Sequence, residues 1–144
     1  MTISDILRTK GREVVTIEPG RTVLDAMRLL VHHNIGAVVV VEGGEIHGIL
    51  SERDGLRLAA QDPGLIAQRR VADIMTTSLI TAGPNDRLHH IMDVMTRHRV
   101  RHLPVIEESE LIGIVSIGDI VNACRASAEE ENDQLRDYIR GSIA

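Results

Sequence analysis

The sequence predicts an α/β (α+β) fold: two tandem β-α-β-β-α units followed by a C-terminal helix. Three observations predict it. A heptad occurs twice, as Gly48-Ile49-Leu50-Ser51-Glu52-Arg53-Asp54 and as Gly113-Ile114-Val115-Ser116-Ile117-Gly118-Asp119. The same offset of 65 residues aligns Thr16 with Thr81, Pro19 with Pro84, Met27 with Met92, His33 with His98, Val40 with Val105, Glu42 with Glu107 and Glu45 with Glu110. Between these marks, short β-branched runs alternate with stretches of helical apolar spacing. Self-similarity at one fixed offset means one supersecondary unit used twice. The units run 1–64 and 65–126, with a tail at 127–144.

The first unit opens on a short apolar piece, Ile3, Ile6 and Leu7, and then Arg8-Thr9-Lys10-Gly11-Arg12, which reads as a loop. Val14 to Ile17 is a short strand, closed by the turn Glu18-Pro19-Gly20. Thr22 caps a helix, with Asp25 in its first turn. Val23, Ala26, Met27 and Leu30 share one helical face, and His32-His33-Asn34 ends it. Ile35 to Val41 is continuously apolar, as in a strand buried on both faces. The turn Glu42-Gly43-Gly44-Glu45 leads to a strand over Ile46 to Leu50, a hairpin pair. Ser51 then opens a second helix, which Gln61-Asp62-Pro63-Gly64 breaks.

A bridge, 65–75, carries Val71-Ala72-Asp73-Ile74-Met75, which repeats Ile3-Ser4-Asp5-Ile6-Leu7 at an offset of 68 residues. The second unit then follows the first. Leu79-Ile80-Thr81 is a strand, Leu88 to Arg97 a helix with Leu88, Ile91, Met92 and Met95 inward, and Leu103 to Ile106 and Leu111 to Val115 two strands. A helix starts near Ser116. In the tail, Leu135, Tyr138 and Ile139 form one helical stripe, suited to packing on its own domain or on a second chain.

Composition narrows the function. The only aromatic residue among Phe, Trp and Tyr is Tyr138, so a flat ligand must lie against aliphatic side chains and backbone. A formal charge of −5 argues against a sequence-independent nucleic-acid binder. Cys124 is the single cysteine, which excludes an internal disulfide and fits a reducing compartment. The first residues lack a signal-peptide pattern, and the apolar run Ile35 to Val41 is too short to span a membrane. The expected location is cytoplasmic.

The heptad has two readings. Ser-x-x-Asp before a helix is a near capping box, with the serine accepting a backbone N–H and the aspartate at the positive helix end. That accounts for the serine better than for the fixed glycine. The same geometry offers N–H groups to an anion. The serine hydroxyl suits a phosphate or sugar oxygen, and the aspartate suits a ribose diol.

The unit order, the duplication and the doubled heptad together resemble a pair of cystathionine-β-synthase (CBS) domains, a Bateman module of the stand-alone bacterial type. Further marks are Ile35-Gly36-Ala37-Val38-Val39-Val40, Arg101-His102-Leu103-Pro104-Val105 and the closing Leu135-Arg136-Asp137-Tyr138-Ile139-Arg140-Gly141. The resemblance covers essentially the whole chain. It implies two repeats packed pseudo-symmetrically through their sheets, two clefts for adenosine ligands (AMP, ADP, ATP, S-adenosylmethionine or NAD(H)) and a homodimer. It also implies regulation of a partner protein and no catalysis. Carried over by position, one site takes Asp119 on the ribose, Ser116 on the phosphate or ribose edge, Arg101 and His102 on phosphate, and Val14, Ile35, Gly36 and Ala37 around the base. The other takes Ser51, Arg53 and Asp54 as polar groups, with Leu79, Val100, Arg101 and His102 near the base. Because Gly36 and Ala37 stand where the second repeat has Arg101 and His102, the Asp119 site is expected to bind nucleotide better.

Two other classes compete. One is an interaction module with empty, degenerate clefts. The other is a metal sensor or small enzyme using the seven histidines, of which His32-His33 and His89-His90 are adjacent pairs. No Gly-x-Ser-x-Gly elbow accompanies the serines, and the expected reading is a non-enzyme that needs no cofactor or metal.

Overall fold

The computed structural model describes the backbone of residues 1–143 and the side chains of residues 1–140. The first unit contains α1 (Ile3–Lys10), β1 (Thr16–Ile17), α2 (Val23–His33), β2 (Ala37–Glu42), β3 (Glu45–Ser51) and α3 (Glu52–Gln61). Two short helices bridge the units, α4 (Leu65–Gln68) and α5 (Val71–Ile74). The second unit contains α6 (Leu88–His98), β4 (His102–Glu107), β5 (Glu110–Ser116) and α7 (Ile117–Ile143). The mixed α+β architecture and the doubled hairpin–helix agree with the sequence.

The two hairpins are alike in detail. β2 and β3 pair antiparallel with Val40 opposite Gly48, and β4 and β5 with Val105 opposite Gly113. Each register slips just beyond that pair, between Val40 and Val41 and between Val105 and Ile106. The extra residues, His47 and Ile112, occupy equivalent positions, so the bulge belongs to the repeat.

The units differ at their first strand. β1 runs parallel to β2, and Val39 N–H donates to the Val15 carbonyl. In the second unit the predicted strand over Leu79 to Thr81 is absent, and a single parallel bridge joins Ala82 to Val105. The residue equivalent to Val39 is Pro104. Proline has no N–H, so the ladder cannot extend toward Ile80.

The stretch before β1 also departs from expectation. Arg8 to Lys10 is not loop but the last turn of α1, which stops at Gly11 with φ 97°. Asp5 closes the first turn by accepting the Thr2 N–H at 2.9 Å. The helix is amphipathic, and Ile3, Ile6 and Leu7 are buried.

They are buried against the second unit, in a core with Leu88, Ile91, Met95, Leu103, Val105, Val115 and Ile120. Conversely, Val71, Ile74 and Met75 join the first unit's core of Ile17, Ala26, Leu30, Val38, Val40 and Leu50. The two lead-ins are therefore exchanged. Ile3 and Ser4 donate to the carbonyls of Asp86 and Pro84, and Val71 and Ala72 donate to those of Arg21 and Pro19. Full burial of Ile3 or Leu7 contributes about 1.5–3 kcal/mol each.

The exchange explains the heptad glycine. A Cβ on Gly48 would lie 2.7 Å from the Thr76 carbonyl oxygen and 2.9 Å from Met75 Sδ. One on Gly113 would lie 2.7 Å from Leu7 Cδ2. Met75 and Leu7 are equivalent positions of the two lead-ins, so each crosses its hairpin at the glycine.

The last helix is longer than two separate elements. α7 runs unbroken from the heptad through the predicted tail. Ile120 is buried and Ala123 and Cys124 pack on the core, whereas residues 128–140 are exposed. The stripe Leu135, Tyr138 and Ile139 lies outside the chain's own core, not on it.

Gly48→Ala should lower unfolding free energy by about 1–3 kcal/mol, because a backbone carbonyl cannot move aside. Gly113→Ala should cost less, since only a leucine side chain must turn. Urea unfolding of both variants measures the difference, and equal losses would count against this account.

Candidate functional site

Each heptad ends its strand at a helix start, and the cap geometry is the same in both. Ser51 N–H donates to Asp54 Oδ2 at 2.8 Å, and Asp54 N–H donates to Ser51 Oγ at 3.4 Å. Ser116 N–H donates to Asp119 Oδ2 at 2.8 Å, and Asp119 N–H donates to Ser116 Oγ at 3.1 Å. The capping reading thus holds, and it engages one carboxylate oxygen of each aspartate. The next residue anchors the opposite side of the hairpin: Glu52 N–H donates to the Gly36 carbonyl and Ile117 N–H to that of Arg101.

A cleft opens at each junction. The Asp54 cleft is lined by Ile49, Ser51, Glu52, Arg53, Asp54, Arg57 and Thr76, faced by Arg99, Val100, Arg101 and His102, with Ala37 at its edge. The Asp119 cleft is lined by Ile114, Ser116 and Asp119, faced by Asn34, Ile35, Gly36 and Ala37, with Lys10, Glu13, Val15 and His102. Each heptad therefore faces the four residues that lead into the other unit's hairpin. The cavities enclose about 160 Å³ at Asp54 and 300 Å³ at Asp119, and with their open mouths about 700 and 740 Å³. Chemistry, more than size, separates them.

The structure brings Ile35, Gly36, Ala37, His102, Ser116 and Asp119 together as expected for one cleft, and Ser51, Arg53, Asp54 and Val100 for the other. Val14 and Leu79 line neither; Val15 and Thr76 stand in their place. Arg101 is corrected most. Expected also on phosphate at Asp119, it lines the Asp54 cleft alone, beside Arg99. The extra charge between α6 and β4 therefore belongs to the other site. Arg53, Arg57, Arg99 and Arg101 oppose Glu52 and Asp54, whereas the Asp119 cleft has Lys10 against Glu13 and Asp119.

Sequence reading missed Arg57 and Lys10, and it set the charge of Arg99 near Asp119, whereas Arg99 lines the Asp54 cleft. Arg57 lies one helical turn beyond Asp54, with Nη1 3.7 Å from Asp54 Oδ1. Arg99 holds the left-handed C-cap position of α6, φ 55°, where Asn34 holds the equivalent one in α2. Asparagine tolerates that conformation; for arginine it costs on the order of 1 kcal/mol. Lys10 reaches across from α1: its Nζ donates to Asp119 Oδ2 at 2.7 Å and to the Ile114 carbonyl at 2.9 Å. Burial would raise the Asp119 carboxyl, but the Lys10 bond and charge and the Ser116 cap outweigh it and hold it below the usual carboxylate value.

His102 stands between the clefts and lines both. A Cβ on Gly36 would meet its Nε2 at 2.8 Å, so Gly36 makes room for the ring. Burial, then the Lys10 charge and, less, that of Arg101 push its pKa down, against Glu52 and Asp119. Among the described residues, no three of His, Cys, Asp and Glu are placed to hold a metal ion, and no helix is long and apolar enough to cross a membrane.

Two repeated units that each complete the other's cleft define a paired small-ligand module. The family model of the CBS domain matches residues 2–60 and 71–126, and the chain belongs to that family as a tandem pair. CBS domain pairs are regulatory ligand-binding modules. A mitochondrial CBS domain-containing protein of Arabidopsis thaliana is 40% identical, over 97% of this chain and 72% of that one. The crystal structure of a CBS-domain containing protein from Agrobacterium tumefaciens superposes with a TM-score of 0.83 at 39% identity, covering 85% of this chain and 98% of that one. A CBS domain pair solved with 5′-methylthioadenosine and S-adenosyl-L-methionine superposes with a TM-score of 0.75 at 25% identity, covering 85% and 98%.

The depressed pKa of His102 has a consequence for stability. Unfolded, the ring takes a proton near its ordinary value of 6.5; folded, it does so only at lower pH. Its contribution is complete above that value and is lost as pH falls through it toward the folded pKa. His102→Gln should therefore flatten the decline in Tm between about pH 7 and about pH 5. An unchanged slope in scanning calorimetry would remove burial of this ring as the cause.

Proposed function

We propose that the chain is a regulatory module that binds a phosphorylated adenosine ligand, AMP, ADP or ATP, in the Asp54 cleft and passes its occupancy to a partner protein. One observation carries this reading: four arginines line one cleft with a capped aspartate, one of them held in a conformation that arginine disfavours. Charge-assisted bonds from guanidinium to phosphate are strong and geometrically selective. Asp54 Oδ1 lies outside the helix cap and suits a ribose hydroxyl. With no Phe, Tyr or Trp lining the cleft, the base would lie against Ala37, Ile49 and Val100. The ligands of the related pair, 5′-methylthioadenosine and S-adenosyl-L-methionine, support an adenosine core and leave the phosphates to the arginines.

The cleft joins residues of both units, so a ligand there favours whichever arrangement closes them on it. Its effect on a partner is bounded by its difference in affinity between arrangements. Titration calorimetry with AMP, ATP, S-adenosylmethionine and adenosine tests the site. Arg101→Ala should weaken AMP and ATP about tenfold and adenosine little. Asp54→Asn, which keeps an oxygen for the cap, should weaken every adenosine ligand. Equal loss for adenosine and AMP in Arg101→Ala would end its phosphate role; no heat from any ligand would favour an interaction module with empty clefts.

The second copy of a homodimer is proposed to sit on the exposed half of α7. Leu135 is 57% exposed, Tyr138 74% and Ile139 49%. An antiparallel pairing of two such helices, centred beside Leu135, sets Glu129 opposite Arg140 and Asp133 opposite Arg136 of the second copy. Leu135→Glu with Ile139→Glu should halve the mass in light scattering while leaving the melting curve of the core. A dimer that survives both changes would move the contact elsewhere.

A further inference from the structure

We propose that Lys10 is a built-in occupant of the Asp119 cleft, so that the chain takes one adenosine ligand and not two. The inference rests on the adenosine reading of the clefts and assigns them unequal roles within it.

The Lys10 ammonium holds two groups of one heptad, Asp119 Oδ2 at 2.7 Å and the Ile114 carbonyl at 2.9 Å. The same Oδ2 already accepts the Ser116 N–H. An oxygen with two lone pairs is then saturated. A ribose diol that uses both carboxylate oxygens must displace the ammonium, leaving it with the Ile114 carbonyl alone. Glu13 lines the same cleft and adds a negative charge where phosphates would approach.

The lysine is also held from behind. It ends α1, whose Ile3, Ile6 and Leu7 are buried in the second core, and the chain turns away at Gly11. The ammonium is delivered by a docked helix, not by a floating side chain.

The Asp54 cleft has a looser partner: Arg57, 75% exposed, stands 3.7 Å from Asp54 Oδ1, beyond hydrogen-bond length, where Lys10 holds Asp119 at 2.7 Å. The equivalent of Lys10, at the lead-in offset, is Ser78, which does not line it. The second donor to Asp54 Oδ2 is the Ser51 hydroxyl at 3.1 Å. That hydroxyl can rotate toward a ligand without separating an ion pair.

Lys10→Met keeps the aliphatic stem and removes the ammonium. Titration calorimetry and equilibrium dialysis with adenosine and with AMP should give one ligand per wild-type chain and two per Lys10→Met chain. Adenosine affinity of the second cleft should rise at least about tenfold, since the competent state is no longer a minor one. Lys10→Met with Asp54→Asn should retain the newly opened site. Lys10→Arg, which keeps a cation, should stay at one. Two ligands on the wild type, or one on both wild type and Lys10→Met with matching melting curves, would overturn the latch while leaving the adenosine reading intact. No binding of either ligand to any variant would overturn both.

Discussion

Where the two lead-ins cross the hairpins, there is no space for a methyl group. The Thr76 carbonyl and Met75 sulfur press on residue 48, and Leu7 presses on residue 113. The rest of the structure depends on this contact. A lead-in that lies flat on a glycine brings α1 into the second core and α5 into the first. Neither unit closes its core without a segment from outside its own hairpin and helices. The bulges at His47 and Ile112 fall one residue before the glycines, where added twist turns the strand end toward its helix. Crossing, bulge and helix start therefore follow one another within a few residues, and together they aim each heptad at the opposite unit.

That aim reconciles the two roles of Ser-x-x-Asp. The serine and one carboxylate oxygen complete the helix start, satisfying N–H groups that a helix otherwise leaves open. The cap is a stability device and also an orienting one. It fixes the carboxylate in a single rotamer before any ligand arrives, so little side-chain entropy remains to be lost on binding. Capping and ligand binding are consecutive uses of one geometry.

Much of this was legible in the sequence. The doubled heptad, the Thr22 cap with Asp25, the Gly43-Gly44 hairpin turn and the aliphatic run into β2 all encode local structure, and each was found near its predicted position. What escaped was relational. The missing strand before α6 follows from Pro104, which lies more than twenty residues downstream of it. Lys10 reads as part of a basic loop because its partner, Asp119, is 109 positions away. Arg101 is expected in both clefts, and because the hairpins face each other the segment before β4 lines the Asp54 cleft. A repeat reveals equivalent positions; it does not reveal which copy they serve.

The same distinction explains how a repeated scaffold supports unequal sites. The backbone bonds at the caps and at the start of each lead-in are matched pair by pair, so neither cleft can drift in position without disturbing a core. Side chains that face the opening are under no such constraint. Asn34 and Gly36 in one copy correspond to Arg99 and Arg101 in the other, and Lys10 to Ser78. Each exchange alters charge at a cleft without touching the crossing glycines. The exchanges are also correlated: arginines face the aspartate whose ion pair with Arg57 is 3.7 Å long, and the lysine, at 2.7 Å, serves the aspartate that has no arginine opposite. An anionic carboxylate at a half-buried helix start calls for a positive partner. One cleft meets that need with an arginine 3.7 Å away, beyond hydrogen-bond length, and the other with a lysine at 2.7 Å. His102 lies between the two and lines both, so a change of charge in one cleft is felt at a ring that borders the other.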